Sequence, residues 1–172
     1  MVTDLGEVYR LGTEKAKENL AFRRYLAATH KDDEPFRVLA ADVQRGIDCT
    51  RCANCCRHGV VTVSEGEIAD IAAHLGIKQA VAKRLYTEPD PDEPGVRVLR
   101  HAGEDGCVFL DDNLCLIYED RPKVCREFPY VASAARALGR RRASVDRWAA
   151  LCPIVYNALE RYKRLMGFRT RG

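Results

Sequence analysis

Residues 49–56 read Cys49-Thr50-Arg51-Cys52-Ala53-Asn54-Cys55-Cys56, four thiols in eight positions. Cys49 and Cys52 are spaced as C-x-x-C, Cys52 and Cys55 repeat the spacing, and Cys56 follows at once. Two intervening residues let a backbone fold back so that both thiolates face one ion, which makes this loop a metal-ligand signal. Four further cysteines lie downstream: Cys107, Cys115, Cys125 and Cys152. Each has turn or helix signals around it, so the second half of the chain is expected to fold back and complete one or two centres. Adjacent side chains such as Cys55 and Cys56 diverge in extended backbone, so the doublet is expected to divide between two metals, or between ligation and redox work.

The rest of the chain suits a compact domain built around that loop. At 172 residues, 47% hydrophobic and 31% charged, it can bury a core of its own and is not disordered by composition. No apolar run is long enough to span a membrane. MVTDLGEVYR lacks a basic stretch followed by an apolar core, so no export signal is read there. The expectation is therefore a cytoplasmic chain with reduced thiols, which favours metal ligation over disulfides. Net charge is +3, unevenly spread: residues 121–172 carry 13 Lys and Arg against three acidic residues. A basic third of this kind meets nucleic acid or an acidic partner, or pairs with the acidic first part of the same chain.

Residues 13–29 lack Gly and Pro and read as a helix. Residues 36–46 read as a second helix or an extended lead-in. Val60–Val63 is β-branched and reads as a strand. Ser64 with Glu67 forms a capping box before the face Ile68, Ile71, Ala72 and Leu75, with a stop at Gly76. Residues 78–86 read as a short helix, 88–95 as a proline-set surface loop, and 96–100 as a strand. The runs around Cys107 and Cys115, joined by Asp111-Asp112-Asn113, read as a β-hairpin that brings the two thiols together. Asp120 and Pro122 read as the start of a helix carrying Cys125. Residues 131–143 are rich in Ala and Arg. Cys152-Pro153 opens a last helix over 154–166. The expected fold is α+β, mostly helical: a small metal-centred domain with a short β-hairpin and flanking helices. Its single domain, 1–172, comprises a helical lead-in (1–46), a cysteine-cluster core (47–130) and a basic helical segment (131–172).

The chemistry of the site rests on thiolate, which ligates both Zn²⁺ and iron–sulfur clusters. Four-thiolate zinc is a closed structural site, whereas a [4Fe–4S] cluster usually sits in a more apolar enclosure. Val60, Val61, Phe109, Ile117, Tyr118 and Phe128 are available to build one. His58 and His101 are weaker ligand candidates, and His30 and His74 read as surface residues. Arg121 and Arg126 flank Cys125 and, with Tyr118, are candidates to shape the centre or to bind an anionic ligand; ion pairs with Glu119, Asp120 or Glu127 are the structural alternative. Nucleotide-binding loops, dinucleotide fingerprints, H-x-E deaminase patterns, HExxH and the C-x3-C-x2-C radical motif are absent from the sequence.

These motifs closely resemble the CxxCxxCC family of YkgJ-like cysteine-cluster proteins. The matching pieces are Cys49-x2-Cys52-x2-Cys55-Cys56, Val61-Thr62-Val63-Ser64 with Glu67-Ile68, Gly106-Cys107-Val108-Phe109-Leu110, and Cys115-Leu116-Ile117-Tyr118-Glu119-Asp120-Arg121-Pro122 running into Cys125-Arg126-Glu127-Phe128-Pro129. The resemblance implies zinc or iron chelation, with Cys49, Cys52, Cys55, Cys56, Cys107, Cys115 and Cys125 as ligand candidates. Cys152 resembles the family's late cysteine, and Arg121, Pro122 and Arg126 carry over as site-shaping residues. The leading expectation is a protein holding a cysteine-ligated [4Fe–4S] cluster, as an electron carrier with a redox partner or as an accessory to a modification enzyme. A zinc-stabilised module binding nucleic acid or an acidic protein is the alternative. A third reading is a metal-assisted enzyme, since a flagellin lysine methylase contains a similar cysteine-cluster domain.

Overall fold

The computed structural model describes residues 1–29, 34–131 and 142–169. In chain order the elements are α1 (Leu5–Glu14), α2 (Ala16–Thr29), α3 (Glu34–Arg45), α4 (Asn54–His58), β1 (Thr62–Val63), α5 (Glu65–His74), α6 (Gln79–Tyr86), β2 (Thr87–Pro89), β3 (Arg97–Leu99), β4 (Leu110–Asp111), β5 (Leu114–Cys115), α7 (Lys123–Glu127), α8 (Arg142–Trp148) and α9 (Pro153–Leu165). The fold is α+β and mostly helical, its strands short and antiparallel. No helix among the described residues is long and apolar enough to cross a membrane. Contacts divide the chain into two units, one of Met1–Asp48 with Pro129–Gly172, the other of Cys49–Phe128. The two terminal segments read separately from sequence thus form one unit.

The helical unit is built on α9. Pro153 sits in the first turn of α9, where its missing N–H is no loss. Ile154, Val155, Ala158, Leu159 and Tyr162 of α9 are all buried. Phe22 meets the Tyr162 ring edge-on at 5.8 Å and Phe36 approaches it at 5.2 Å. Asn157 ties the N-terminal strand of chain down: Val2 N–H donates to its Oδ1 at 2.9 Å and its Nδ2 donates to Val2 O at 2.7 Å. Lys163, also buried, donates to Glu18 and Glu160 at 2.6 Å each. With Arg161 on Asp42 at 3.0 Å, this pairs some of the C-terminal basic charge with the first part of the chain.

Helical structure starts earlier than residue 13. Asp4 caps α1, accepting from Glu7 N–H at 2.8 Å, and the chain breaks at Lys15 before α2. Gly12 lies inside α1, just before the stretch 13–29 read as a helix. Here its bare Cα is the point of closest packing: a Cβ would stand 2.5 Å from Ala149 O and Ala150 Cα. An exposed helical Gly→Ala gains about 1 kcal/mol. Against backbone at that distance overpacking wins, so Gly12→Ala is expected to destabilise by about 1–3 kcal/mol, read from urea denaturation. A more stable variant would refute the close packing.

The cysteine-rich unit has its own core of Val61, Val63, Ile68, Ile71, Ala72, Ala82, Leu99, Phe109 and Ile117, with Cys107, Cys115, Val124 and Cys125 packed against it. A three-stranded sheet of order β1-β3-β2 covers one side of it, with Thr62 opposite Val98 and Thr87 opposite Leu99. The strand read over 60–63 is shorter, and Val60 is exposed. The proline-set loop contributes a strand instead: Thr87–Pro89 forms a sheet edge, where Pro89 is tolerated. The capping box at Ser64 and Glu67 forms as read. Residues 132–141, most of the Ala/Arg-rich stretch including Arg140 and Arg141, and His30 lie outside the described residues.

Candidate metal centre

The cysteine loop is two short helical pieces hinged at Ala53. Residues Cys49–Arg51 form a 3-10 turn, with Cys52 and Ala53 N–H both donating to Cys49 O at 3.1 Å. Ala53 then takes a left-handed conformation, φ 48°, and α4 starts directly after it. That hinge makes the doublet helical. The expectation that Cys55 and Cys56 diverge is corrected: their sulfurs stand 3.9 Å apart. The extended backbone that would separate them is absent, because Cys56 N–H is already bonded back to Ala53 O at 2.9 Å.

The downstream thiols are brought to this loop by backbone. Cys107 N–H donates to Cys56 O at 2.9 Å. Gly106 precedes it with φ 90°, and a Cβ there would stand 2.8 Å from both Arg57 Cα and Cys56 O. Only glycine satisfies that backbone angle and that approach together. Arg57 spans the same junction, donating to Cys52 O at 3.2 Å, Asp112 O at 2.6 Å and Asn113 Oδ1 at 3.0 Å. The hairpin is shorter than read. Leu110 pairs with Cys115 and Asp111 with Leu114, so Cys107 stands outside the ladder. Leu110 N–H turns back to Cys107 O at 2.8 Å, which ends the extended run early. Pro122, not Asp120, stands at the N-cap position of the helix carrying Cys125, without a side-chain cap bond. Asp120 instead bonds His74 at 2.7 Å.

Burial and charge act in opposite directions on these sulfurs. Burial pushes the Cys107 thiol up to about 11 and the Cys125 thiol up to about 12, and raises Cys115 as well. The backbone N–H groups of Phe109 and Ile117 point at Cys107 and Cys115 and partly offset this. Cys56 goes the other way, down to about 7: the Cys55 thiol donates to it, and Arg121 and Arg57 favour its thiolate against the cost of burial. Cys107, Cys115 and Cys125 pack against the same apolar core, and Cys56 is joined to Cys107 through its carbonyl. Arg121 holds its guanidinium 3.5 Å over the Tyr118 ring, with its Nε donating to Tyr118 O at 2.7 Å. Arg126 donates to Arg121 O. Both arginines thus bond backbone carbonyls beside the cysteine helix.

A family model described as "Putative zinc- or iron-chelating domain", CxxCxxCC, matches residues 48–153, more than half of the chain. The chain belongs to the CxxCxxCC family. All eight cysteines fall inside the matched span. No curated protein and no solved structure matches the chain. The donor set fits the family's description, because soft, half-buried thiols with amide N–H groups aimed at sulfur suit zinc or iron far better than hard cations. The side chains are gathered without being closed into a shell: among the described residues, no group of three or more His, Cys, Asp or Glu is positioned to hold a metal ion. None of the eight cysteines is in a disulfide.

The other candidates of this CxxCxxCC chain are distributed as follows. Cys49 is exposed, while Cys52 and Cys55 are half-buried in the loop. Cys152 belongs to the helical unit, buried at the N-cap of α9. His58 is exposed, and His101 uses its Nε2 to donate to Gly59 O at 2.8 Å, which commits that nitrogen to structure. From sequence, Arg57 carries no site role, His74 reads only as a surface residue, and Gly106 enters only as part of the motif Gly106-Cys107-Val108-Phe109-Leu110. The glycine directly before Cys107 was the one available signal, since a cysteine that must approach another loop needs a permissive neighbour.

Proposed function

We propose that this protein holds one cysteine-ligated metal centre on Cys56, Cys107, Cys115 and Cys125, a [4Fe–4S] cluster, and serves as an electron carrier or as an accessory to a modification enzyme. The observation that supports the reading is that Cys107, Cys115 and Cys125 pack against one apolar core, with Cys107 N–H bonded to Cys56 O. Phe109 and Ile117 supply both that core and the N–H groups aimed at sulfur. A cluster bound there would take up and release one electron at a time, and hydrogen bonds to sulfur with low exposure set its potential. Arg121 and Arg57 would offset the negative charge of the thiolates. Protein purified without air is expected to be brown, to carry about four irons and to give a cubane Mössbauer signature. Colourless protein with stoichiometric zinc from iron-replete, anaerobic cells would overturn this reading in favour of a zinc-stabilised module. The zinc reading has its own support in the Cys49–Cys52 turn, exposed at Cys49 and half-buried at Cys52, a C-x-x-C element of the kind that closes structural zinc sites.

A further inference from the structure

Between Cys115 and Cys125 runs a connector that is held at two places by one helix. At its far end, Lys123 N–H, the first of α7, donates to Glu67 Oε1 at 2.8 Å. The other oxygen of the same carboxylate accepts from Ser64 N–H and Ser64 Oγ, both at 2.8 Å, in the capping box of α5. At its near end, His74 lies between two acceptors: Nε2 donates to Leu116 O at 3.2 Å, and Nδ1 faces Asp120 Oδ2 at 2.7 Å. Glu67, Ile71 and His74 are spaced i, i+4, i+7, one stripe of α5. Ile71 lies between the two clamps, buried in the core it shares with Ile117. Seven residues of helix separate the clamps by about 10 Å, a length the helix cannot change without unwinding.

We infer that Glu67 and His74 are positioning residues of the thiol centre: α5 acts as a ruler that fixes where Cys115 and Cys125 stand relative to each other. The inference rests on the reading that both thiols serve one centre. A connector left to itself samples many conformations, and a metal would have to order it on binding. With both ends held, that ordering is in place before the metal arrives. Neither residue touches sulfur; Glu67 acts through the start of α7, and His74 through the carbonyl one residue after Cys115. The capping box and the clamp share one carboxylate, yet they separate experimentally, because Ser64 contacts Glu67 and not the connector.

The test is Co²⁺ and Zn²⁺ binding to full-length protein by competition with a chromophoric chelator, together with the visible spectrum of the cobalt form. Groups that orient ligands without touching metal typically contribute 10–100-fold in affinity. Glu67→Ala and His74→Ala are each expected to lose about 10-fold and to alter the cobalt bands. Glu67→Gln keeps an oxygen for Lys123 N–H and is expected to recover part of the loss. Ser64→Ala removes the cap and one bond to the Glu67 carboxylate but keeps the bond from the residue 64 N–H, and is expected to lose clearly less affinity than Glu67→Ala. If Ser64→Ala loses as much as Glu67→Ala, helix stability and not the clamp is responsible, and the inference fails. His74 is on the surface side of α5, so His74→Ala remains informative if Glu67→Ala does not fold; unchanged affinity and spectrum in that variant also overturn the clamp. Wild type that binds neither metal overturns the centre and the clamp together, whereas wild type and all variants binding alike overturns the clamp alone.

Discussion

Lowering the pH from 7 to 6 is expected to weaken the binding of Zn²⁺, used as a probe, by three to four orders of magnitude. Without metal, Cys107 at about 11, Cys125 at about 12 and the raised Cys115 are all protonated at neutral pH, while Cys56 at about 7 is half ionised. Thiolate is the ligand, so closing a four-thiolate shell at pH 7 expels three to four protons, and the affinity changes by that power of ten per pH unit. The direction reverses the pH response of the metal-free fold. Thiols raised above their ordinary range stabilise the fold fully below that range, and that contribution is lost as pH rises through 11 and 12. With metal bound, stability is lost as pH falls instead. Competition titrations at pH 6, 6.5 and 7, corrected for the chelator's own protons, give the slope. Calorimetry in buffers of different ionisation enthalpy counts the protons independently. A slope of two or less would mean that fewer than four of these thiols join the shell.

What the sequence makes legible here is what depends on near neighbours. The capping box at Ser64 and Glu67, the stop near Gly76 and Pro153 at the head of α9 are written within four residues and form as read. The thiol spacing announces a metal site for the same reason. The errors begin where a residue's role is set across the fold. Cys55 and Cys56 converge because Ala53 turns left-handed, which no alanine advertises. The hairpin is shorter than read because Cys107 N–H is taken by Cys56 O, a partner 51 positions away, and Leu110 pairs with Cys115. His74 is at the surface as read, and only its bonds to Leu116 and Asp120, more than forty residues downstream, were not legible. Glu67 was read correctly as a cap, and its second task at Lys123 N–H was invisible because one carboxylate oxygen already explained it. The helical unit follows the same division: the apolar face of α9 is periodic and legible, while the packing of Gly12, where a Cβ would stand 2.5 Å from Ala149 O, depends on a partner far along the chain.

Replacing Lys163 by Met is expected to destabilise the helical unit by about 2–4 kcal/mol at pH 7, although the substitution keeps volume and adds apolar character. Lys163 is 4% exposed and holds Glu18 and Glu160 at 2.6 Å each. Replacing a whole buried ion group by apolar residues is often neutral, but removing one member strands the others, at about 3–5 kcal/mol for a fully buried pair. Two features reduce that figure here: Glu18 keeps 32% of its side chain in water, and Lys15 remains bonded to Glu160. The pH dependence distinguishes stranded charge from poor packing. Burial pushes the Glu160 carboxyl up, but the hydrogen bonds from Lys15 and Lys163 outweigh it and hold the group below the usual carboxylate range. A depressed carboxyl stabilises the fold above its ordinary range, and that contribution is lost as pH falls through the folded value. The gap between wild type and Lys163→Met should therefore narrow as pH drops from 7 toward 3, because the carboxylates left behind become neutral. Urea denaturation across that range measures it. A gap of constant size would assign the loss to packing around the missing amine, and a variant as stable as wild type at pH 7 would mean that Glu18 and Glu160 reach water on their own.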